Sequence, residues 1–580
     1  MKQGRLFNKT TLQTLGLMHL TVLGLSLAYP PVNASWLAWV AWTPWILACA
    51  PTLSRRRLTV LAYGAACVYW IISLHWISLV TPPGWIGMGL YMALLWPLSS
   101  LALQICRRQQ WPLSWAAAVI ITGAEAAQGF PLGGFFWRLL GHSQAAQLHV
   151  IQIADLVGAA GVSFIVALVN GTLAEIILGL QRRPLPYKRL ASQGILTVLL
   201  LVACLAYGHW RLGQTAQVTT PGPRVGAIQS NIPQIVKEAL VKSEDIVTEI
   251  MVDSRACQQA GADLIVWPET MVQAYLDEFL IKPETDKAID TQLRQHARQG
   301  SYLMVGALGA QILAGQTYIG QSNSAFLYRP DGSLASERYD KMHLVLFGET
   351  LPFRDIKWLH NLMIQFTPYD YDYSLIAGTH PTLFSMSITD EQGVTQNYHF
   401  SVLICYEDIM GYLARSRILN DQGQKQIHWL VNSSNDGWFI RYHDEQKRGH
   451  ATSELAQHLN TCVFRAVENR IPIIRSVNTG ISALIDSTGR IHSESLASSE
   501  GWPRNPQDRT GLSGWFINKM PIDSRVSWFT RTGPWLERLC LVLWIILWLG
   551  HIYTGLREYR QQRRVKSVEQ ADGSIVSAKK

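Results

Sequence analysis

The sequence predicts a polytopic α-helical membrane domain of about eight transmembrane helices, seven before and one after an inserted α/β domain. Three observations indicate this fold class. The chain of 580 residues is 48% hydrophobic and only 16% charged, which is too apolar for a purely water-soluble protein. Apolar stretches of near-membrane length occur towards both ends of the chain. The long segment between them has the alternating strand and helix patterns of an α/β domain.

The apolar stretches predict the division of the chain into domains. They cover residues 12–28, 36–53, 58–79, 86–106, 115–128, 157–180, 195–207 and 536–553. The fifth and seventh are shorter than the roughly 20 residues that a straight helical span needs. We therefore expect a transmembrane domain over 1–215, an α/β domain over 216–520, and a linker, the last helix and a basic tail over 521–580.

Basic residues predict the orientation of the helices. One set of alternate connections holds 19 Lys and Arg residues, whereas the opposite set of short connections holds Arg138 alone. Because basic connections stay on the cytoplasmic side, both termini are predicted to be cytoplasmic and the inserted domain to lie across the membrane. Residues 211–534 carry a net charge of −5 within a chain of net charge +9. The net positive charge of the chain thus reflects its orientation in the membrane, and no nucleic-acid partner is expected.

Two features of the apolar region allow a second interpretation. The first stretch follows a basic start, as in a cleaved signal peptide, but its length and the absence of a small-x-small cleavage site favour an uncleaved anchor. Glu125, Asp155 and Glu175 lie within or near the stretches, where charged side chains are costly and often functional. They belong either to an ion or proton path or to span ends that water or Arg138 can reach, and the lack of a regular charged face favours span ends.

Polar clusters follow two apolar strands of the inserted domain, where α/β proteins tend to place their chemistry. Residues 264–267 lead through Pro268 into Glu269, a position that suits either a general base or a cap of the next helix. A second cluster contains Lys341 and, eight residues later, Glu349. It is either an ordinary charged loop or a cation for an oxyanion with a carboxylate that orients it.

Cys405 stands at the end of a third apolar strand, residues 400–404, and is followed by Tyr406 and Glu407. A free Cys in such a place is either buried packing or a nucleophile. Five of the eight cysteines lie in or beside the apolar stretches, which leaves three in the inserted domain. In an oxidising compartment at least one of three thiols stays unpaired, and Cys405 is the candidate. The cysteine spacings form no CxxC or HxH group, so no metal site is expected.

Taken together, these clusters resemble a known arrangement. Glu269, Lys341 and Cys405, in this order and each in its own motif, resemble the Glu-Lys-Cys triad of the nitrilase or carbon-nitrogen hydrolase superfamily. Residues 432–439 (NSSNDGWF) and 465–472 (RAVENRIP) resemble later signatures of that superfamily. With the seven-plus-one pattern of spans, the chain is similar to the bacterial apolipoprotein N-acyltransferase family, which acts at the last step of lipoprotein maturation.

The resemblance, which extends to residues 154–164 and 229–234, implies a fold and a reaction. The inserted domain is expected to be a nitrilase-like αββα sandwich on the periplasmic side of the bacterial inner membrane. The reaction is expected to be ping-pong transfer of a fatty acyl chain from a membrane phospholipid, through a Cys thioester, to an N-terminal amine. The acceptor amine belongs to the diacylglyceryl-cysteine of an apolipoprotein, and the lipid bilayer is the third partner.

The resemblance also implies roles for single residues. Cys405 is the nucleophile, Glu269 the general base that takes its proton, and Lys341 the cation that stabilises the tetrahedral oxyanion. The residues expected to support them are Glu349, Tyr406 and Glu407. No metal, nucleotide or dissociable cofactor is implied.

Two other functions fit the same sequence. One is a membrane-tethered amidase or nitrilase that transfers the acyl group to water, and the other is a polytopic transporter or sensor with an inactive nitrilase-like domain. Preference for a lipopeptide amine over water as the acyl acceptor would distinguish the acyltransferase from the hydrolase. The substitution Cys405→Ser would abolish both enzymatic activities but would leave the function of a transporter or sensor intact. The aromatic segment 353–373, just after the Lys341 cluster, is the candidate lid.

Overall fold

Helices form the first third of the chain, two large β-sheets form the middle, and one more helix follows. The computed structural model describes residues 9–130, 133–234, 243–277, 283–313, 317–351, 356–365, 373–389, 392–442, 449–554 and 557. All statements below concern these residues.

The N-terminal part is a bundle of helices joined by short helical turns. The longer helices are α1 (Lys9–Ala28), α2 (Arg55–Ser73), α3 (Pro82–Met92), α4 (Leu95–Arg108), α5 (Leu113–Ala127), α6 (Ala159–Leu180) and α7 (Tyr187–Gly213). The short turns are Ser35–Leu37, Ala38–Ala41, Thr43–Ala48, His75–Leu79, Leu140–Gln144, Leu148–Ile151, Ala154–Val157 and Thr215–Val218. Prolines begin several helices because their missing N–H costs nothing in the first turn.

Within the described residues, five helices are long and apolar enough to cross a membrane. They are Lys9–Ala28, Pro82–Arg108, Ala159–Leu180, Tyr187–Gly213 and Trp535–Thr554. The helical character of the membrane domain is confirmed, but the predicted count of eight spans is not. Of the other predicted stretches, 58–79 became α2, which opens with three arginines, and 115–128 became α5, which has only 15 residues.

The predicted stretch 36–53 is broken into short helices. Asn170 of α6 enters the break, and its Oδ1 accepts the N–H groups of Trp42 and Thr43 at 2.8 and 3.0 Å. Its Nδ2 donates to the backbone oxygen of Ala38 at 2.9 Å. Because this fully buried amide satisfies the free backbone groups, the helix can end and restart inside an apolar environment.

Each of the three acidic residues predicted near the spans has a partner. Glu125 accepts a backbone N–H at 2.5 Å, and Glu175 lies 2.6 Å from Arg189. Asp155 lies 2.7 Å from Arg470 of the α/β domain and is fully buried. These contacts favour the structural interpretation of the three acids over an ion or proton path.

The middle of the chain forms two large sheets and one small sheet of two strands, Ile440–Tyr442 and Gly449–Ala451. The strands are β1 (Thr219–Gln229), β2 (Leu264–Val266), β3 (Val272–Tyr275), β4 (Tyr302–Leu313), β5 (Thr317–Tyr328), β6 (Leu334–Asp340), β7 (Phe384–Thr389), β8 (Thr395–Ile404), β9 (Trp429–Ser434), β10 (Ile440–Tyr442), β11 (Gly449–Ala451), β12 (Ile473–Val477), β13 (Ala483–Ile485), β14 (Ala497–Ser498) and β15 (Gly514–Asp523). The first sheet has the order β14-β15-β1-β2-β4-β5-β6, with β3 beside β4, and the second has the order β13-β12-β9-β8-β7.

The two large sheets pack face to face and carry helices on their outer faces. The helices of this region are α8 (Ser243–Gln259), α9 (Glu284–Ala297), α10 (Lys357–Ile364) and α11 (Glu454–Asn469), and α12 (Trp535–Thr554) follows the domain. Apolar residues of both sheets, such as Val266 and Val402, share one core between the sheets. Helices α8 and α9 cover the first sheet and α11 covers the second, so the domain has the expected αββα layers.

Helix α11 joins the α/β domain to the membrane helices. One face covers the second sheet, and the other meets the segment between α5 and α6. Trp137 Nε1 donates to Gln457 at 2.7 Å, and the N–H of Ala159 donates to Glu468 at 2.9 Å. Apolar residues of the bundle and of α11 form one continuous cluster. The domain therefore rests directly on the ends of the membrane helices.

Candidate active site

Glu269 lies just beyond the carboxyl end of the central strand β2. Its side chain is only 6% exposed, and Asn323 Nδ2 donates to its Oε1 at 2.6 Å. On the other oxygen, Oε2, it accepts the backbone N–H of Asn435 at 2.8 Å. Strand β3, and not a helix, follows Glu269, so the helix-cap interpretation is wrong. These donors fix the carboxylate at the strand end, where it can act on a neighbouring group.

Lys341 follows strand β6, and its ammonium group is enclosed. The side chain is 1% exposed, and Nζ lies 3.2 Å from Glu269 and 2.8 Å from Glu349. Burial alone would lower the pKa of Lys341, but the two carboxylates outweigh it and raise the pKa well above its usual value. A buried ammonium that stays charged is a preorganised cation for an oxyanion.

Asn323 of β5 connects the two carboxylates around this ammonium. Its Nδ2 donates to Glu269 at 2.6 Å and to Glu349 at 2.9 Å. Glu349 also accepts the N–H of Val345 at 2.9 Å, so the loop after Lys341 closes over its own carboxylate. The sequence did not single out Asn323, because a lone Asn within a strand carries no motif.

Cys405 follows the last residue of β8 and opens the short turn Cys405–Ile409. Its φ of +51° is a left-handed conformation that is uncommon for a residue with a Cβ and often marks functional sites. Burial raises the pKa of the Cys405 thiol well above its usual value, Glu269 adds to this effect, and Lys341 opposes it. Cys405 is half-buried, and these effects together favour the neutral thiol over the thiolate.

Glu407 ties two loops of the site together. Its side chain is fully buried, and its Oε1 accepts the N–H of Met342 at 2.7 Å while its Oε2 accepts the N–H of Ile404 at 2.8 Å. The hydroxyl of Tyr339 donates to both oxygens at 2.7 Å. Met342 and Ile404 are the chain neighbours of the ammonium and the thiol, so Glu407 is a positioning residue.

Tyr406 connects the site to the membrane helices. Its ring stacks on Phe135 with the ring centroids 6.3 Å apart and on His343 with the centroids 5.9 Å apart. Its hydroxyl donates to the backbone oxygen of Gly134 at 3.2 Å. Gly134 and Phe135 follow α5, so the residue next to Cys405 touches the end of the membrane bundle.

Two parts of the chain match different protein families. Residues 22–172 match the N-terminal domain of apolipoprotein N-acyltransferases, and residues 224–501 match carbon-nitrogen hydrolases. An apolipoprotein N-acyltransferase of Geobacter metallireducens is 33% identical over 492 residues, which are 80% of this chain and 84% of the relative. The chain belongs to the apolipoprotein N-acyltransferase family.

Other members of the apolipoprotein N-acyltransferase family are similar over slightly less of their length. The protein of Caulobacter vibrioides is 30% identical over 70% of this chain and 69% of its own. The protein of Bradyrhizobium diazoefficiens is 28% identical over 71% of each chain. Among solved structures, an amidase from a Nesterenkonia species matches with 16% identity and a TM-score of 0.34, over 55% of this chain and 96% of that chain.

The candidate lid of this family member is described in part. Helix α10 lies within the predicted segment 353–373, and its Trp358 is 71% exposed. Residues 353–355 and 366–372 lie outside the described residues.

A second buried charge cluster lies next to the site, and the sequence did not single it out. Its members, which we call the histidine cluster, are Asp408, Asp436, Glu454, His458, Cys462 and Arg475. His458 lies between two carboxylates, at 3.0 Å from Asp408 and 3.2 Å from Asp436. Arg475 contacts the same two carboxylates at 3.3 and 2.8 Å. Arg475 also donates to Asn432 at 2.5 Å, which brings the cluster next to the strand that leads to Cys405.

The contacts of the histidine cluster favour an ion-pair network over a metal site. Asp436, Glu454 and His458 each offer a ligand atom within 4.8 Å of the others. Burial and Arg475 lower the pKa of His458, but Asp408 and Asp436 outweigh them and raise it to about 10. A protonated imidazole has no free lone pair for a metal, and the neighbouring guanidinium of Arg475 repels a cation.

We expect the stability of the protein to fall at alkaline pH as His458 loses its proton. The pKa of His458 is raised from about 6.5 in an unfolded chain to about 10 in the folded one. The stabilising contribution is therefore complete below pH 6.5 and is lost as pH rises through about 10, at up to ~1.4 kcal/mol per pH unit. Thermal unfolding in detergent between pH 7 and 10 measures this loss.

The variant His458→Gln isolates the contribution of this one group, since other buried thiols and phenols also titrate at alkaline pH. The variant is expected to unfold at a lower temperature than the wild type at pH 7 and to lose less between pH 7 and 10. If the unfolding temperatures of the two proteins fell equally between pH 7 and 10, His458 would be neutral in the folded state.

Proposed function

We propose that this protein transfers a fatty acyl chain from a membrane phospholipid to the N-terminal amine of the diacylglyceryl-cysteine of an apolipoprotein. Membership of the family supports lipoprotein N-acylation. The observation that carries the mechanism is the geometry around Cys405: Lys341 lies 3.2 Å from Glu269, and Glu407 accepts the N–H groups of Met342 and Ile404, the chain neighbours of Lys341 and Cys405. Both lipid substrates keep their acyl chains in the bilayer, so the reacting thiol needs to be close to it.

In the proposed first half-reaction, Glu269 takes the proton of the Cys405 thiol, and the sulfur attacks the ester carbonyl of the phospholipid. The carbonyl oxygen becomes an oxyanion that Lys341 stabilises. The bond between the carbonyl carbon and the glycerol oxygen then breaks, and Glu269 returns its proton to that oxygen. The products are a lysophospholipid and a thioester on Cys405.

In the proposed second half-reaction, the free amine of the diacylglyceryl-cysteine attacks the thioester carbonyl. Glu269 takes a proton from the amine, and Lys341 again stabilises the oxyanion. The bond between carbon and sulfur breaks, the thiol of Cys405 regains the proton, and the acceptor leaves with a new amide. No atom outside the two substrates and these side chains is needed for the balance.

We further propose eight spans, with both termini in the cytoplasm and residues 216–520 as a periplasmic catalytic domain. The excess of basic residues on one set of connections supports this orientation. The first residues of α7 lie on the basic side, and the 27 residues of α7 end at Gly213, just before β1. At about 1.5 Å per residue, α7 is about 40 Å long, enough to cross a membrane.

The thioester can be tested directly by mass spectrometry. We expect purified protein mixed with phospholipid to gain the mass of one fatty acyl chain on the peptide that contains Cys405, and to lose it on addition of a diacylglyceryl peptide. The variant Cys405→Ser is expected to show no thioester adduct and at least ~1000-fold slower transfer. Cys257→Ser is the matched control, since that thiol is buried between α8 and β1 and is expected to leave transfer unchanged.

The same experiment separates the other candidate functions. A hydrolase would release free fatty acid at the same rate with or without the diacylglyceryl peptide. A transporter or sensor with an inactive domain would form no adduct, and Cys405→Ser would leave its function intact. An adduct on Cys257 or Cys462 in place of Cys405 would reject the proposed mechanism.

A further inference from the structure

A basic cavity lies at the end of the membrane bundle that faces away from the α/β domain. It has a volume of about 240 Å³ and lies between the α4–α5 turn, the end of α6 and the start of α7. The opposite end of α7, Gly213, leads into β1 of the α/β domain. The cavity therefore lies at the far end of α7 from the α/β domain and is separate from the candidate active site.

Three arginines line this cavity. Arg189 is neutralised by Glu175 at 2.6 Å and donates to the backbone oxygens of Gln110 and Trp111 at 2.8 and 3.0 Å. It is therefore part of the wall. Arg107 donates to two backbone oxygens at 3.0 and 2.7 Å, which fixes its guanidinium without neutralising it.

Arg182 is the third arginine, and its side chain is exposed at the cavity. Among the described residues, neither Arg182 nor Arg107 forms an ion pair, and Glu175, the acidic residue that lines the cavity, pairs with Arg189. The cavity thus carries two positive charges in excess. Such an excess beside a low-dielectric environment is stabilised by an anion.

The walls of the cavity match a lipid headgroup with its chains. Leu113, Leu178 and Pro186 supply apolar surface beside the arginines. Trp111 is 47% exposed at the rim, as aromatic residues at the headgroup level are. Most of α7 is not packed against other helices, since only Thr197, Cys204 and Gly208 of its 27 residues are buried. An acyl chain leaving the cavity can therefore continue along the helix.

We propose that this cavity binds the phosphate headgroup of an anionic phospholipid from the leaflet opposite the catalytic domain. Arg107 and Arg182 bind the phosphate oxygens, because guanidinium groups match phosphate geometry. The apolar wall holds the first part of the acyl chains. The bound lipid neutralises the cavity and stabilises the junction of α4, α6 and α7.

Native mass spectrometry of the full chain tests this proposal with phosphatidylglycerol as the probe and phosphatidylcholine as the zwitterionic comparison. We expect the wild type to retain one phosphatidylglycerol at least about tenfold more tightly than phosphatidylcholine. Arg182→Gln is expected to lower this affinity about fivefold, and Arg107→Gln/Arg182→Gln to remove the preference. Because the side chain of Arg182 forms no hydrogen bond within the described part of the chain, its single variant tests the proposal even where the double variant fails to fold.

The matched control removes the same charge on the same side of the membrane. Arg55→Gln/Arg56→Gln changes two exposed arginines at the start of α2 that do not line the cavity. We expect it to change phosphatidylglycerol affinity less than twofold. The proposal would be overturned if Arg55→Gln/Arg56→Gln lost as much phosphatidylglycerol affinity as Arg107→Gln/Arg182→Gln. It would also be overturned if the wild type retained phosphatidylglycerol and phosphatidylcholine equally. Displacement of the lipid by millimolar inorganic phosphate would instead identify a site for free phosphate and would also overturn it.

Discussion

Replacing Lys341 with Met is expected to stop acyl transfer and to destabilise the α/β domain. The substitution removes the ammonium between Glu269 and Glu349, so two buried carboxylates are left sharing one amide of Asn323. Breaking a buried ion pair on one side costs about 3–5 kcal/mol. Loss of an oxyanion-stabilising group costs a further ~100- to 1000-fold in rate. Thermal unfolding and the rate of thioester formation measure the two effects separately.

A second substitution distinguishes catalysis from folding. In Lys341→Met/Glu349→Gln only one carboxylate remains charged, so we expect most of the lost thermal stability to return while acyl transfer stays absent. Lys519→Met, which removes an exposed Lys from β15, is the control for a change of one charge and should behave as the wild type. Recovery of transfer in the double variant would show that Lys341 acts only on stability.

The elements of the α/β domain with a clear periodic pattern could be predicted from the sequence. The predicted apolar strands 264–267 and 400–404 lie at β2 (Leu264–Val266) and at the end of β8 (Thr395–Ile404). Helix α11 ends at Asn469 because Arg470 takes a left-handed conformation with φ of +50°. Strand β6, with the sequence LASERYD, was missed because its polar residues hide the alternation of a strand.

The membrane bundle was less predictable, since apolar composition does not reveal where a helix breaks. The stretch 36–53 has the length of a span, but the break at Trp42 and Thr43 depends on Asn170, which lies over 120 residues away in the chain. A side chain that bonds the free backbone groups of a broken helix can be identified only from the packed helices. Hydropathy therefore indicates a membrane domain but not its exact course.

Some residues of the candidate site could also be predicted from the sequence, and others could not. Glu269 and Cys405 lie at the ends of apolar strands, which can be recognised in a sequence, whereas Lys341 follows the polar strand β6 and was identified by its motif. Asn323 lies inside β5, and His458 lies inside α11, so their roles come only from what faces them in the fold. For His458 these partners are carboxylates from two other segments, 50 and 22 residues away in the chain. Groups that act through buried contacts of this kind carry no local signal.

The burial of the Cys405 thiol has a consequence for the choice of base. Burial and the carboxylate of Glu269 both disfavour the thiolate, and Lys341 favours it. A nucleophile that rests as a neutral thiol depends on proton transfer during the attack. In the proposed mechanism, the carboxylate that disfavours the resting thiolate also accepts its proton, so we expect the rate of the first half-reaction to depend on Glu269.

Replacing Glu269 with Gln is therefore expected to slow thioester formation by about 100- to 10,000-fold. The amide keeps an oxygen for Asn323 and Lys341, but its NH₂ group meets the N–H of Asn435, where the carboxylate accepted a hydrogen bond. This mismatch costs about 1–3 kcal/mol of stability. Time-resolved mass spectrometry of the Cys405 adduct measures the rate, and thermal unfolding measures the stability.

The pH dependence of that rate distinguishes a lost base from a distorted site. In the variant the thiol has to ionise into solvent, so we expect the rate of thioester formation to rise roughly tenfold per pH unit at alkaline pH. The wild type, in which Glu269 takes the proton, is expected to change much less over the same range. The exposed Glu494→Gln serves as the matched control and should follow the wild type. A Glu269→Gln protein that forms the adduct at the wild-type rate would assign the base to another residue.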